Sequence, residues 1–455
     1  MSAGDPTVGT GAGALRATKR GAIATFCIYP FGDHAYATTI LAVLYNQYFV
    51  EKVAGLGGGV SILGLSVPGA TVYTWLISIT MLGVAVAGPL LGAWCDAAGT
   101  RMPWLRGLCI TGAAATVALA SVHPGEWIHG SILFGVSYGA FALASVLYNA
   151  ILPELTSQDR MGRVSGLAWG AGYLGGAVVL ILDLVILSQP ARVRFFGDNA
   201  LQACFALAGI WWIVFAIPLL VRKGPPPRIS SGGAGLTVGL REVWTTLRGL
   251  RRSPHFLRYM IAYLIYNDGV QTIVATASIF AAAELGFKPR ELVLLFLLIQ
   301  VTGLVGSPIA GWLADRLGHK PVLLVHIAAF IAITVWARWT GIFGAPVTEF
   351  WCIGGAGGLF LGGIQSVSRS LLARWVPQER SGEIFGFFAV SGRFASAFGP
   401  LVFGAMSWAA GGLRPAILSV SLFFVVGGAF LFFVDEKKGG EELVALRGFE
   451  PRFDG

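Results

Sequence analysis

Polar breaks divide the chain into apolar runs near 22–50, 67–94, 104–122, 129–151, 164–188, 201–221, 258–284, 291–313, 320–340, 348–374, 383–410 and 414–434. A helix rises about 1.5 Å per residue, so about 20 apolar residues cross a hydrocarbon core about 30 Å thick. Each run is therefore read as one transmembrane helix. A membrane barrel would show short alternating segments instead. The pattern predicts an all-α membrane protein with twelve spans.

Composition narrows this further. Hydrophobic residues make up 55% of the chain and charged residues 12%, with a mean hydropathy of +0.72. A soluble domain carries about a quarter charged residues, so 455 residues of this kind could not cover a water-facing surface. Glycine is also abundant, at 63 residues, which suits helices that pack closely where lipid gives no hydrophobic drive. The cysteines Cys27, Cys95, Cys109, Cys204 and Cys352 are scattered, with neither a C-x-x-C nor a histidine cluster, so no metal is expected. The first 20 residues are polar and small, and no cleavable leader is expected. No G-x-S-x-G, Walker loop or H-E-x-x-H occurs, so neither an enzyme nor an ATP-driven pump is expected, and no cofactor.

An even number of spans puts both termini on one side. Of the 32 Lys and Arg, 23 fall on that side, 7 on the other, and Arg369 and Arg393 lie within spans. The bias predicts cytoplasmic termini in a plasma membrane, the inner membrane of a bacterium. The expected organisation is a cytoplasmic segment 1–21, a six-helix bundle 22–221, a basic linker 222–257, a second six-helix bundle 258–434 and a cytoplasmic tail 435–455. The linker reads as a basic amphipathic helix on anionic lipid headgroups. The net charge of +9 thus reflects topology and lipid, and no nucleic acid is expected as a partner. A monomer is expected.

The two halves repeat. GPLLGAWCDAAGTR (88–101) matches SPIAGWLADRLGHK (307–320), pairing Gly92 with Gly311 and Asp96 with Asp315. Gly162 and Gly166 likewise match Gly382 and Gly386. Parallel six-span repeats around a midplane cavity are a transporter architecture.

The paired G-x-x-x-D-x-x-G segments resemble the signature of the major facilitator superfamily. VLYNAILPE (146–154), GRVSGLAWGAGYLGG (162–176), YNDGVQT (266–272), GGIQSVSRSLLARWVP (362–377) and FGPLVFG (398–404) resemble its vacuole-effluxer-like branch, whose bacterial members form the unknown major facilitator group. That resemblance implies two six-helix pseudo-repeats, secondary transport by alternating access, and an amino acid or related zwitterion as cargo. One segment departs from the family: YPFGDH (29–34) stands where Tyr-Asp-Trp-Ala-Asn-Ser is usual, so the acid has moved from position 30 to Asp33, nearly the same helix face.

Charges at bilayer depth cost roughly 2.5 to 3.5 kcal/mol each on insertion scales. Arg369 lies roughly 12 Å in, Arg393 and Asp268 roughly 15 Å, and Asp33 roughly 20 Å, by helix rise. Asp183 is expected near the outer end of its span. The resembled fold lines its cavity with spans 1, 4, 7 and 10. That implies Asp33, His34, Tyr36, Tyr148, Asn149, Asn267, Asp268, Gln271, Gln365 and Arg369 as cavity groups, with Arg393 of span 11 beside them. Arginine can grip a carboxylate while aspartate takes an ammonium; alternatively, the acids and arginines pair only with each other. A proton is a candidate coupling ion through Asp33, His34 or Asp268. Gly92, Asp96, Arg101, Gly311, Asp315 and Lys320 are expected to form a cytoplasmic gate. Two other readings stand beside this: efflux of cationic drugs or amphiphiles, and a sensor or assembly partner that transports nothing.

Overall fold

The computed structural model describes residues 8–54, 59–62, 64–188, 200–222, 253–410 and 412–445. The first half comprises α1 (Val8–Ala35), α2 (Gly69–Ala98), α3 (Arg101–Ala118), α4 (Trp127–Asn149), α5 (Met161–Ser188) and α6 (Ala200–Leu220). The second comprises α7 (Pro254–Leu285), α8 (Pro289–Leu317), α9 (His319–Arg338), α10 (Pro346–Trp375), α11 (Ser381–Ala409) and α12 (Leu413–Phe432). A short helix, α13 (Glu436–Ala445), follows. A two-stranded antiparallel hairpin, β1 (Val60–Ile62) with β2 (Leu65–Val67), joins α1 to α2. Sequence periodicity gave no sign of it. The greater part of the basic linker lies outside the described residues.

Among the described residues, nine helices are long and apolar enough to cross a membrane. The others are α1, α7 and α11, which carry midspan polar groups such as Asp33 and Asp268. Leu82, Ile110, Ile132, Leu167, Val185 and Leu422 are exposed, which suits a lipid-facing surface and no water-facing one.

The halves pack alike. In the first, α1 lies against α5 and α6, and α3 against α4 and α6; in the second, α7 lies against α11 and α12, and α9 against α10 and α12. Between halves, α5 packs on α8 and α10 as α11 packs on α2 and α4. The molecule is thus two six-helix pseudo-repeats joined chiefly through α2, α5, α8 and α11. Small residues permit those joints: a Cβ at Gly166 would meet the backbone of Ser307 and Pro308, and one at Gly386 would meet Pro89.

Beyond Ala35 the first span continues as a π-helix, Tyr36–Val43, and after a short α-turn as another, Phe49–Val53. Pro30 inside α1 removes one backbone donor upstream, and π-stretches often mark functional segments.

Candidate functional site

The residues expected at a gate meet on one face of the molecule, which we call the gate face. Asp96 ends α2 beside the N-terminus of α11, where its Oδ2 accepts the Glu383 amide (3.0 Å). Asp315 ends α8 beside the N-terminus of α5 and accepts the amides of Gly162 (2.7 Å) and Arg163 (2.8 Å). A carboxylate at a helix N-terminus meets unpaired N–H groups and the positive end of the helix dipole. Each acid therefore ties its own half to the opposite one. The glycines make this approach feasible: a Cβ at Gly92 would strike the backbone of Gly382, and one at Gly311 the backbone of Gly162. The two internal repeats seen in the sequence are thus each other's binding partners across the molecular centre.

Arg101 reinforces one side. Its guanidinium donates to Asp96 (2.5 Å), to Ser381 Oγ (2.8 Å) and to the Ala150 carbonyl (3.0 Å), and it also pairs with Glu154. Lys320, its repeat counterpart, does not join the gate. It donates to the carbonyls of Phe432 (2.6 Å) and Val434 (2.8 Å), capping α12 within its own half. The expectation that Lys320 contributes to the gate is corrected here: α13 follows α12 on this side, and its Glu436 takes the Lys320 amide. Arg163, 3.7 Å from Asp315, stands in its place.

Two glutamines missed by the sequence reading complete the closure. Gln158 donates to the Arg374 carbonyl (3.0 Å) and Gln378 to the Pro153 carbonyl (2.9 Å), each reaching into the other half. The signal was available, because Gln-Asp-Arg (158–160) and Gln-Glu-Arg (378–380) share the spacing that aligns Gly162 with Gly382.

Deeper in the membrane, Arg369 of α10 makes a second link. Nε donates to Ser165 Oγ (2.9 Å), Nη2 to the Ser165 carbonyl (2.8 Å) and Nη1 to Asn149 Oδ1 (3.1 Å). Ser165 Oγ in turn donates to the Ser366 carbonyl (2.7 Å). Three rings surround the guanidinium, those of Phe26, Tyr148 and Trp169, with centroids at 5.6, 5.8 and 5.7 Å, a range in which cation–π attraction operates. Tyr148 is held by stacking between Phe26 and Tyr29 and by donating to the Phe26 carbonyl (2.9 Å). Arg369 is 4% exposed, and among the described residues it has no ion pair. The expected Asp–Arg pairing therefore does not involve this arginine. Among the described residues, its hydrogen bonds to Ser165 and Asn149 engage three of the five guanidinium N–H groups, and the Tyr148 ring lies beside it.

Asp33 is buried, and His34 Nδ1 hydrogen-bonds its Oδ1 (2.9 Å). The His34 ring stands edge-on to Trp169 and Tyr173, so Arg369 and the Asp33–His34 pair border one aromatic cluster. Within the second half, Gln365 of α10 donates to Asn267 Oδ1 of α7 (3.0 Å), and Gln271 lies one turn further along α7, half-buried.

Two expected cavity residues sit elsewhere. Tyr36 is fully buried inside the first bundle, with its hydroxyl on Ser137 Oγ (3.0 Å) and its ring against Phe141 and Trp212. Asp268 turns toward α11, where it accepts the Gly399 amide (2.9 Å). Helix periodicity allowed either orientation; apolar packing partners decided for Tyr36 and a backbone donor for Asp268. The Arg393 side chain lies outside the described residues.

Comparison with known proteins agrees with this architecture. Residues 57–444 match the family model described as vacuole effluxer Atg22 like. An uncharacterized MFS-type transporter, YxiO of Bacillus subtilis, is 28% identical over 424 residues, covering 91% of this chain and 94% of the relative. Autophagy-related protein 22 of Yarrowia lipolytica is 23% identical, covering 83% and 77%. Among solved structures, the proton:xylose symporter XylE superposes with a TM-score of 0.67 at 18% identity, covering 94% of this chain and 98% of that one. FucP in its outward conformation gives 0.66 at 14%, covering 91% and 98%. The chain therefore belongs to the vacuole effluxer Atg22-like family of major facilitator transporters.

Proposed function

We propose that this secondary transporter moves a small zwitterion, an amino acid or a close relative, by alternating access. The observation that carries the reading is Arg369: a guanidinium deep in the membrane, held by neutral groups and rings, with N–H groups to spare for a substrate carboxylate. Asp33 borders the same aromatic cluster and takes the ammonium end, with the Asn267–Gln365 amide pair orienting the cargo. Asp33 or His34 carries the coupled proton when transport is proton-linked. The excess of Lys and Arg on the gate face makes that face cytoplasmic, so the arrangement is an outward-facing one with its inner gate shut. The family description, vacuole effluxer, supports a metabolite as the cargo.

A ligand screen on the purified protein tests the substrate class. Zwitterionic amino acids should raise the apparent unfolding temperature, since a ligand at a hundred times its Kd adds about 2.7 kcal/mol. Sugars and nucleosides should leave it unchanged. Shifts confined to cationic amphiphiles would replace this reading with drug efflux.

A further inference from the structure

The first bundle holds a carboxylate for which the transport reading has no use. Asp183 lies on α5, five residues before the helix ends at Ser188, and is 2% exposed. Thr39 Oγ1 donates to its Oδ2 (2.6 Å), whereas its Oδ1 is buried with no hydrogen-bond partner. Thr39 belongs to the π-helical stretch Tyr36–Val43, a few residues past the Asp33–His34 pair. The midspan acids differ: Asp33 has His34 and Asp268 has the Gly399 amide.

An ionised carboxylate with a bare oxygen in such a place costs many kcal/mol, so something neutralises it. Every helix packed on α5 bears on what that is. From the π-helical continuation of the first span comes the Thr39 hydroxyl, and from α6 comes Cys204, a neutral thiol whose Sγ lies 4.0 Å from the Asp183 carbonyl and beside its side chain. Among the described residues, α8 and α10 bring no charged or titratable side chain into contact with it, and no ion pair includes Asp183. A hard metal cation would need about six oxygen ligands, and among the described residues no group of acids, histidines and cysteines could hold a metal ion. Among the described residues no cation neutralises the carboxylate, which leaves a proton to remove its charge.

We propose that Asp183 and Thr39 form a proton-binding site in the outer part of the first bundle, with the proton on Oδ1 and Oδ2 still accepting from Thr39. Proton loss would place a bare negative charge against the π-helical stretch Tyr36–Val43 that follows α1, so occupancy of the site is linked to the conformation of that segment and to Asp33 below it. This site is separate from the cargo site and stands without it.

Difference infrared spectroscopy of the full-length protein in lipid nanodiscs reads the protonated carboxyl directly. The wild type should show a protonated-carboxyl band at neutral pH that disappears in Asp183→Asn, persists in Asp33→Asn and shifts in Thr39→Val, which lacks the hydroxyl donor. A protonated-carboxyl region unchanged by Asp183→Asn would overturn the proposal, because Asp183 would then be ionised. Should Asp183→Asn fail to fold, Thr39→Val decides alone: a shifted band supports the site and an unshifted one refutes it.

Discussion

Gly92→Val and Gly311→Val should each hold the gate face open and abolish transport while leaving the two bundles folded. At both positions the obstacle is backbone of the opposite half, Gly382 or Gly162, which cannot swing aside as a side-chain tip does. Overpacking costs about 1 to 3 kcal/mol. Separation also forfeits charge-assisted bonds such as Asp96 to the Glu383 amide, each contributing about 1.5 to 3 kcal/mol. A combined cost of about 4 kcal/mol moves a two-state equilibrium about a thousandfold. Spin labels on the gate-face ends of α2 and α11 would then report long distances only, where the wild type reports short ones. Gly83→Ala, a site with open space around the new methyl, should change nothing. Short distances retained in both valine variants would mean that the glycine contacts do not govern closure.

Arg369→Ala should eliminate the stabilisation given by zwitterions while the protein still purifies as a single species. Truncating one member of a buried, charged recognition pair costs about 2 to 5 kcal/mol, which weakens binding at least about thirtyfold. Arg369→Lys should recover little, because an ammonium cannot reproduce the fork that spans Ser165 and Asn149. Folding survives because Ser165 keeps its bond to the Ser366 carbonyl and no acid is stranded by the loss. For the same reason, a second substitution at Asp33 should not rescue the variant. Aggregation of Arg369→Ala, relieved by removing an acid, would restore the ion-pair reading and refute this one.

Much of the fold was legible because lipid imposes simple requirements: apolar runs of fixed length, charge bias at their ends, and glycines where helices touch. The internal repeat disclosed the two halves. It did not disclose that each signature docks on the other repeat, since spacing along a chain carries no information about which surfaces meet. The site was legible by residue type and less so by direction. Tyr148 and Asn149 contact Arg369, and the Asp33–His34 pair borders the same aromatic cluster, whereas Tyr36 and Asp268 turn into their bundles. Ser165 and Trp169 escaped notice because a serine and a tryptophan in an apolar helix look like ordinary packing. Lys320 shows the limit of repeat symmetry: one extra helix, α13, redirected it.

Counterflow in proteoliposomes tests the central claim, that this chain carries a zwitterion across the membrane, most directly. Vesicles preloaded with a mixture of amino acids should accumulate a labelled one transiently with the wild type, and fail to do so with Arg369→Ala or Gly92→Val. Wild-type protein that is stabilised by amino acids yet exchanges none of them would contradict the account and make the chain a binding protein on a transporter fold.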